Sequence, residues 1–148
     1  MLFRSQTSCL LEGLQKQFSV KKSKQTKFIE MKIALASLDQ KWEDKSENLK
    51  RCIELATRAK ALDTELIIFP EMTLTGFTMY VDYSAENSAE SHSIKAFSQI
   101  ALNNQISVVA GVVLKLSQLA GNALVAFSKN GEEQARYFKI HQIGRAHV

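Results

Sequence analysis

The segment Leu66-Ile-Ile-Phe-Pro-Glu-Met-Thr-Leu-Thr-Gly-Phe77 constrains the fold of this chain more than any other. Its four consecutive apolar residues, bounded by polar ones, suit a strand buried on both faces, as in sheets covered by helices. Pro70 has no N–H to give a ladder, so the strand is expected to end there and to deliver Glu71 just past its end. In an open α/β sheet, ligands bind beyond the carboxyl ends of the strands. Glu71 therefore stands where a catalytic carboxylate would stand.

The neighbouring segments give that strand its partners. Lys32–Leu38 reads as a first strand, with a clean buried run directly after Met31. A helix start follows, with Asp44 and Glu47 at capping-box spacing and Ser46 as a competing cap. Leu49, Cys52, Ile53, Ala56 and Ala59 then recur at helical spacing. Strand, helix and strand make a βαβ unit, with a right-handed crossover and parallel strands. Asp82 to Ser88 is a polar stretch suited to a loop over the sheet edge. A second helix starts between Ser88 and Ser93, presents Ile94, Phe97, Ile100 and Ala101 to the sheet, and ends at Asn103-Asn104.

Ser107–Leu114 is apolar and rich in β-branched residues, as a central strand should be. Gly111 inside it marks the close approach of another group. Asn122–Phe127 and Gln134–Phe138 read as a fourth and a fifth strand. Asn130-Gly131 between them is a hairpin signal, since both residues tolerate positive φ, and makes these strands antiparallel neighbours. Lys139 follows the fifth strand.

The 148 residues, 45% hydrophobic and 23% charged, suit one globular domain with a core. The net charge of +4 arises within residues 1–30, where Arg4, Lys16, Lys21, Lys22, Lys24 and Lys27 face Glu12 and Glu30. The other residues balance, so a basic face for nucleic acid is not supported. No apolar run reaches the about 20 residues that a membrane span needs. Two cysteines, Cys9 and Cys52, make neither a metal cluster nor a disulfide framework, and a reducing, cytoplasmic setting is the simplest expectation. Residues 1–30 read as an organelle-targeting peptide or as a disordered extension from a misassigned start. The second is preferred, because the first strand follows Met31 at once.

Glu71 and Lys139, both at strand ends, could converge on one sheet edge as a general base beside a cation. On the residues alone Lys139 reads as a solvated surface residue, and Glu71 is balanced between a base and a cap of the following turn.

Phe69-Pro-Glu-Met-Thr-Leu-Thr-Gly-Phe77, then Asn122, Gly131, Tyr137, Lys139 and His141, resemble in order and spacing the first half of the nitrilase, or carbon–nitrogen hydrolase, superfamily. The resemblance runs from about Met31 to His141. It implies an α/β fold that is part of an α-β-β-α sandwich, a mixed sheet with helices on one face. It also implies cofactor-independent hydrolysis of a small-molecule amide through a Glu-Lys-Cys triad, with Glu71 as base, Lys139 as the oxyanion-stabilising cation, and no metal. A carboxylate can take the proton of a thiol while a nearby cation steadies the charge on the substrate.

The cysteine, expected past Lys139, is missing, as is the second glutamate usual soon after the lysine. Cys52 sits on the buried stripe of a helix and reads as a small inert hydrophobe. Gln142–Val148 resembles no continuation of the family and matches what a sequencing-adapter DNA encodes, so residues 142–148 are expected to be non-native read-through. His147 and Arg145 receive no functional reading, and His141 a structural one. The 148-residue chain is thus expected to be an inactive part of an enzyme whose full-length parent is a homo-oligomer. Thr75-Gly-Phe-Thr-Met79 resembles the ω-amidase branch, which acts on 2-oxoglutaramate. Tyr80 and Tyr83 are candidates for its pocket, although loop aromatics more often simply pack. The alternatives are a non-catalytic α/β binding module with a basic N-terminal arm for an acidic partner, and a flavodoxin-like domain. The absence of a Gly-rich phosphate loop argues against the last.

Overall fold

A computed structural model describes residues 30–116 and 119–140. The expectations for the N-terminal extension, for His141 and for residues 142–148 lie outside the described residues. The elements are β1 (Ile33–Leu35), α1 (Lys45–Ala61), β2 (Leu66–Ile68), α2 (Val81–Ser84), α3 (His92–Asn104), β3 (Ser107–Leu116), β4 (Leu119–Phe127) and β5 (Glu133–Phe138). They form one mixed sheet in the order β1-β2-β3-β4-β5. β1, β2 and β3 are parallel, and β3, β4 and β5 are antiparallel. The mixture follows from the connections, because α1 and α3 are crossovers whereas β4 and β5 are joined by a tight turn.

Both long helices begin on a side-chain cap. The Asp44 carboxylate accepts from the Glu47 N–H at 3.0 Å, and Ser46 donates its hydroxyl to the same oxygen at 2.9 Å. Asp44 is thus the cap, and Ser46 supports it. The hydrogen bond from Lys41, followed by that from the Glu47 N–H, holds the Asp44 carboxyl well below the usual carboxylate range. Ser91 caps α3 by accepting from the Ile94 N–H at 3.1 Å. Cys52, Ala56 and Ala59 of α1 and Phe97, Ile100 and Ala101 of α3 turn onto one sheet face. There they meet Val108, Ala110, Val112 and Leu114 of β3 and Ala123, Val125 and Phe127 of β4. The alternation along β3 and β4 selects that face.

The other face is open among the described residues. Leu124 and Tyr137, paired across β4 and β5, are 46% and 59% exposed. This corrects two expectations. β2 is buried on one face only, with Ile67 and Phe69 covered and Leu66 and Ile68 half-buried. β1 is a three-residue edge strand whose Ile33 and Leu35 are exposed. Continuous apolar runs such as these fit two covered faces, and here helices cover only one.

Two local readings also change. Asp82 to Ser88 is not a plain loop. It holds the single turn α2, and Glu86 bridges to Leu114 in parallel fashion. Glu86 accepts from Lys45 Nζ at 2.8 Å, from the Ser91 and Ser93 hydroxyls at 2.6 and 2.9 Å, and from the Ser93 N–H at 2.9 Å. In the hairpin only Gly131 takes positive φ, +80°, and its N–H donates to Ser128 O at 2.9 Å. A register shift beside Phe127 absorbs the longer turn.

Candidate active site

Backbone bonding sets where Glu71 lies. Phe69 N–H donates to Val109 O at 2.8 Å, and the next ladder contact of this segment is Thr73 N–H to Gly111 O at 2.9 Å. Between them Pro70 has no N–H to give, and the chain lifts over β3 in a tight turn. The turn presses on β3 at Gly111. A Cβ there would lie 2.7 Å from Glu71 Cα and 2.8 Å from Met72 N and from Pro70 O. The close approach expected at Gly111 is therefore that of the segment bearing Glu71.

Lys139 is placed from the opposite edge of the sheet. Its N–H donates to Asn122 O at 2.8 Å, extending the β4–β5 ladder by one residue. Tyr137 and Lys139, two apart on β5 and its extension, share a face with Asn122 and Leu124, two apart on β4. Gly111 of β3 pairs with Leu124 and so joins that face.

Glu71 and Lys139 meet there. Lys139 Nζ donates to Glu71 Oε1 at 2.9 Å. Asn122 Nδ2 donates to the same oxygen. The three polar groups edge a cavity of about 220 Å³ floored by Gly111, Ala123, Leu124 and Tyr137. The site therefore lies over the open face of β3–β4–β5, rather than only at the lip of β2.

The pair adds little to the fold. Its side chains are 55% and 35% exposed for Glu71 and Lys139, and an exposed ion pair contributes about 0–1 kcal/mol. What it provides is an oriented carboxylate whose second oxygen takes no hydrogen bond among the described residues, beside a cation, at an apolar floor. Such a group can take a proton from a nucleophile while the ammonium faces developing negative charge.

Cys52 is kept from this chemistry. It is fully buried in the core between α1 and the sheet, on the face away from Glu71. Burial pushes its thiol up to about 12, so it stays protonated and inert. Tyr80 and Tyr83 are exposed and do not line the cavity. Tyr80 packs at a tilt against Trp42, with ring centroids 6.3 Å apart. Among the described residues no group of three His, Cys, Asp or Glu side chains could hold a metal, and no helix is long and apolar enough to cross a membrane.

The sequence reading missed what Asn122 does at the site. Its place in the motif was visible, but its contact with Glu71 depends on β3 lying between the two segments.

Residues 32–147 match the family model described as carbon-nitrogen hydrolase. No curated protein sequence matches the chain. An amidase from Nesterenkonia sp. AN1, solved after Michael addition of acrylamide at its active-site cysteine, is 20% identical with a TM-score of 0.71. The match covers 78% of this chain and 46% of that one. An N-terminal amidase is 17% identical with a TM-score of 0.68, over 77% of this chain and 29% of that one. The same amidase solved with a Gln-Gly peptide gives the same identity and score, with 77% and 28% covered. These likenesses show the fold, and the chain spans less than half the length of each.

Proposed function

The chain belongs to the carbon–nitrogen hydrolase family, and we propose that Glu71 and Lys139 are the general base and the oxyanion-stabilising cation with which such a protein hydrolyses a small amide. The observation that carries this reading is the 2.9 Å contact between Lys139 Nζ and Glu71 Oε1 beside an open cavity. In the proposed reaction Glu71 takes a proton from a cysteine thiol, and the thiolate attacks the amide carbon. Lys139 stabilises the oxyanion, ammonia leaves with the proton, and water, activated by the same carboxylate, releases the acid. The cysteine is not supplied by the described residues, since the thiol of Cys52 lies across the sheet. We place the nucleophile downstream of Lys139, where the family resemblance expects it, and expect the 148-residue chain alone to be inactive. The substrate proposed is a side-chain amide of an α-keto acid such as 2-oxoglutaramate, on the resemblance of residues 75–79 to the ω-amidase branch.

Ammonia release from 2-oxoglutaramate tests the proposal. The 148-residue chain should release none above buffer. Residues 1–141 continued by their native downstream sequence should release it, and Glu71→Gln or Lys139→Met should each lower the rate by about 10²-fold or more. Release that survives both substitutions refutes the assignment of base and cation. Hydrolysis of simple amides with no preference for the keto acid refutes the ω-amidase reading alone.

A further inference from the structure

Met72, the residue after Glu71, has φ +49°, a left-handed conformation that a side chain other than glycine adopts at a cost. Such backbone persists only where the surroundings over-determine it. Here the surroundings converge on Thr73, which is fully buried. Its N–H donates to Gly111 O at 2.9 Å, and its hydroxyl accepts from the Gly111 N–H at 3.2 Å. The same hydroxyl donates to Pro70 O at 2.6 Å. One side chain thus ties the residue before Glu71 to the strand beneath it. Gln40 closes the turn from the other side, with Nε2 donating to Met72 O at 3.0 Å and to Thr73 O at 3.1 Å.

We infer that Thr73 is a positioning residue, whose hydroxyl holds the Pro70-Glu71-Met72 turn against Gly111 and so aims the Glu71 carboxylate at Lys139. The inference deepens the proposed function and rests on it for its catalytic meaning, but its geometry can be tested without catalysis. Valine at position 73 keeps the shape and the N–H, loses both bonds of the hydroxyl, and leaves the buried Gly111 N–H without an acceptor. Serine keeps the hydroxyl and loses only a methyl group.

The test reads Lys139 directly. The 148-residue chain is treated briefly with acetic anhydride, and acetylation is quantified at each lysine by peptide mass spectrometry, with Lys50 and Lys115 as internal references. An ammonium held by a carboxylate is protected, so Glu71→Gln should raise the rate at Lys139 by about twofold to fivefold, the range for release of an exposed ion pair. Thr73→Val should give the same rise at Lys139 with the reference lysines unchanged, and Thr73→Ser should keep wild-type protection. Wild-type protection in Thr73→Val, or a Thr73→Ser variant as reactive as Glu71→Gln, overturns the inference. If Thr73→Val does not fold, the serine variant decides on the same criterion. These outcomes are independent of ammonia release, so failure of the positioning role and failure of the catalytic reading are told apart.

Discussion

At position 111 a methyl group would have nowhere to go. Its nearest neighbours would be Glu71 Cα at 2.7 Å and the backbone atoms Met72 N and Pro70 O at 2.8 Å, and none is the end of a flexible side chain. Gly111→Ala should therefore push the turn off β3 and destabilise the protein by about 1–3 kcal/mol. Thermal unfolding measures this, and an alanine variant as stable as wild type would show that the turn is not seated as described. Gly111 was legible in the sequence because a glycine inside a β-branched strand is locally out of place. Glu71 and Lys139 were legible as strand-end charges that could converge on one sheet edge, and their assignment as base and cation came from the family resemblance. Thr73 and Asn122 were not legible as partners of the site. Their roles are hydrogen bonds between segments far apart in the chain, and neither residue type is unusual where it stands.

Among the elements, the short turn α2 and the segment around Glu86 depart most from the sequence reading. A run of polar residues looked like a solvated loop, yet Glu86 sits among Lys45 of α1, the N-terminus of α3 and β3. Burial pushes its carboxyl up, and the hydrogen bonds from Lys45, Ser91 and Ser93 outweigh that effect and hold it at about 2, against an ordinary value of 4.5. With its pKa lower in the folded than in the unfolded chain, Glu86 stabilises the fold fully above about pH 4.5, and this is lost as pH falls toward 2. After allowance for solvent screening the effect is about 1–2 kcal/mol. Thermal unfolding between pH 6 and pH 3 should show a shallower loss of stability in Glu86→Gln than in wild type, and equal slopes would contradict the network. The two long helices, α1 and α3, were legible from capping residues and periodicity. The strands were legible in position but not in exposure, because a strand's sequence does not say which of its faces finds a cover.

For the whole molecule, one sheet face carries the helices, and the other carries both the Glu71–Lys139 pair and exposed apolar side chains such as Leu124 and Tyr137. The family, the mixed sheet and its one-sided helices agree with what the family resemblance implied, and the chain spans under half of the amidases whose fold it shares. In the proposed mechanism this sequence supplies a base and a cation to a cysteine located elsewhere. Mass spectrometry of the acyl-enzyme tests that mechanism. Residues 1–141 continued by their native downstream sequence are mixed with an amide substrate, quenched in acid and digested. An acyl adduct is expected on a cysteine beyond residue 141, with its formation suppressed in Glu71→Gln and in Lys139→Met. An adduct on Cys52, on Cys9 or on a residue other than cysteine, or one that forms equally fast in both variants, would contradict it.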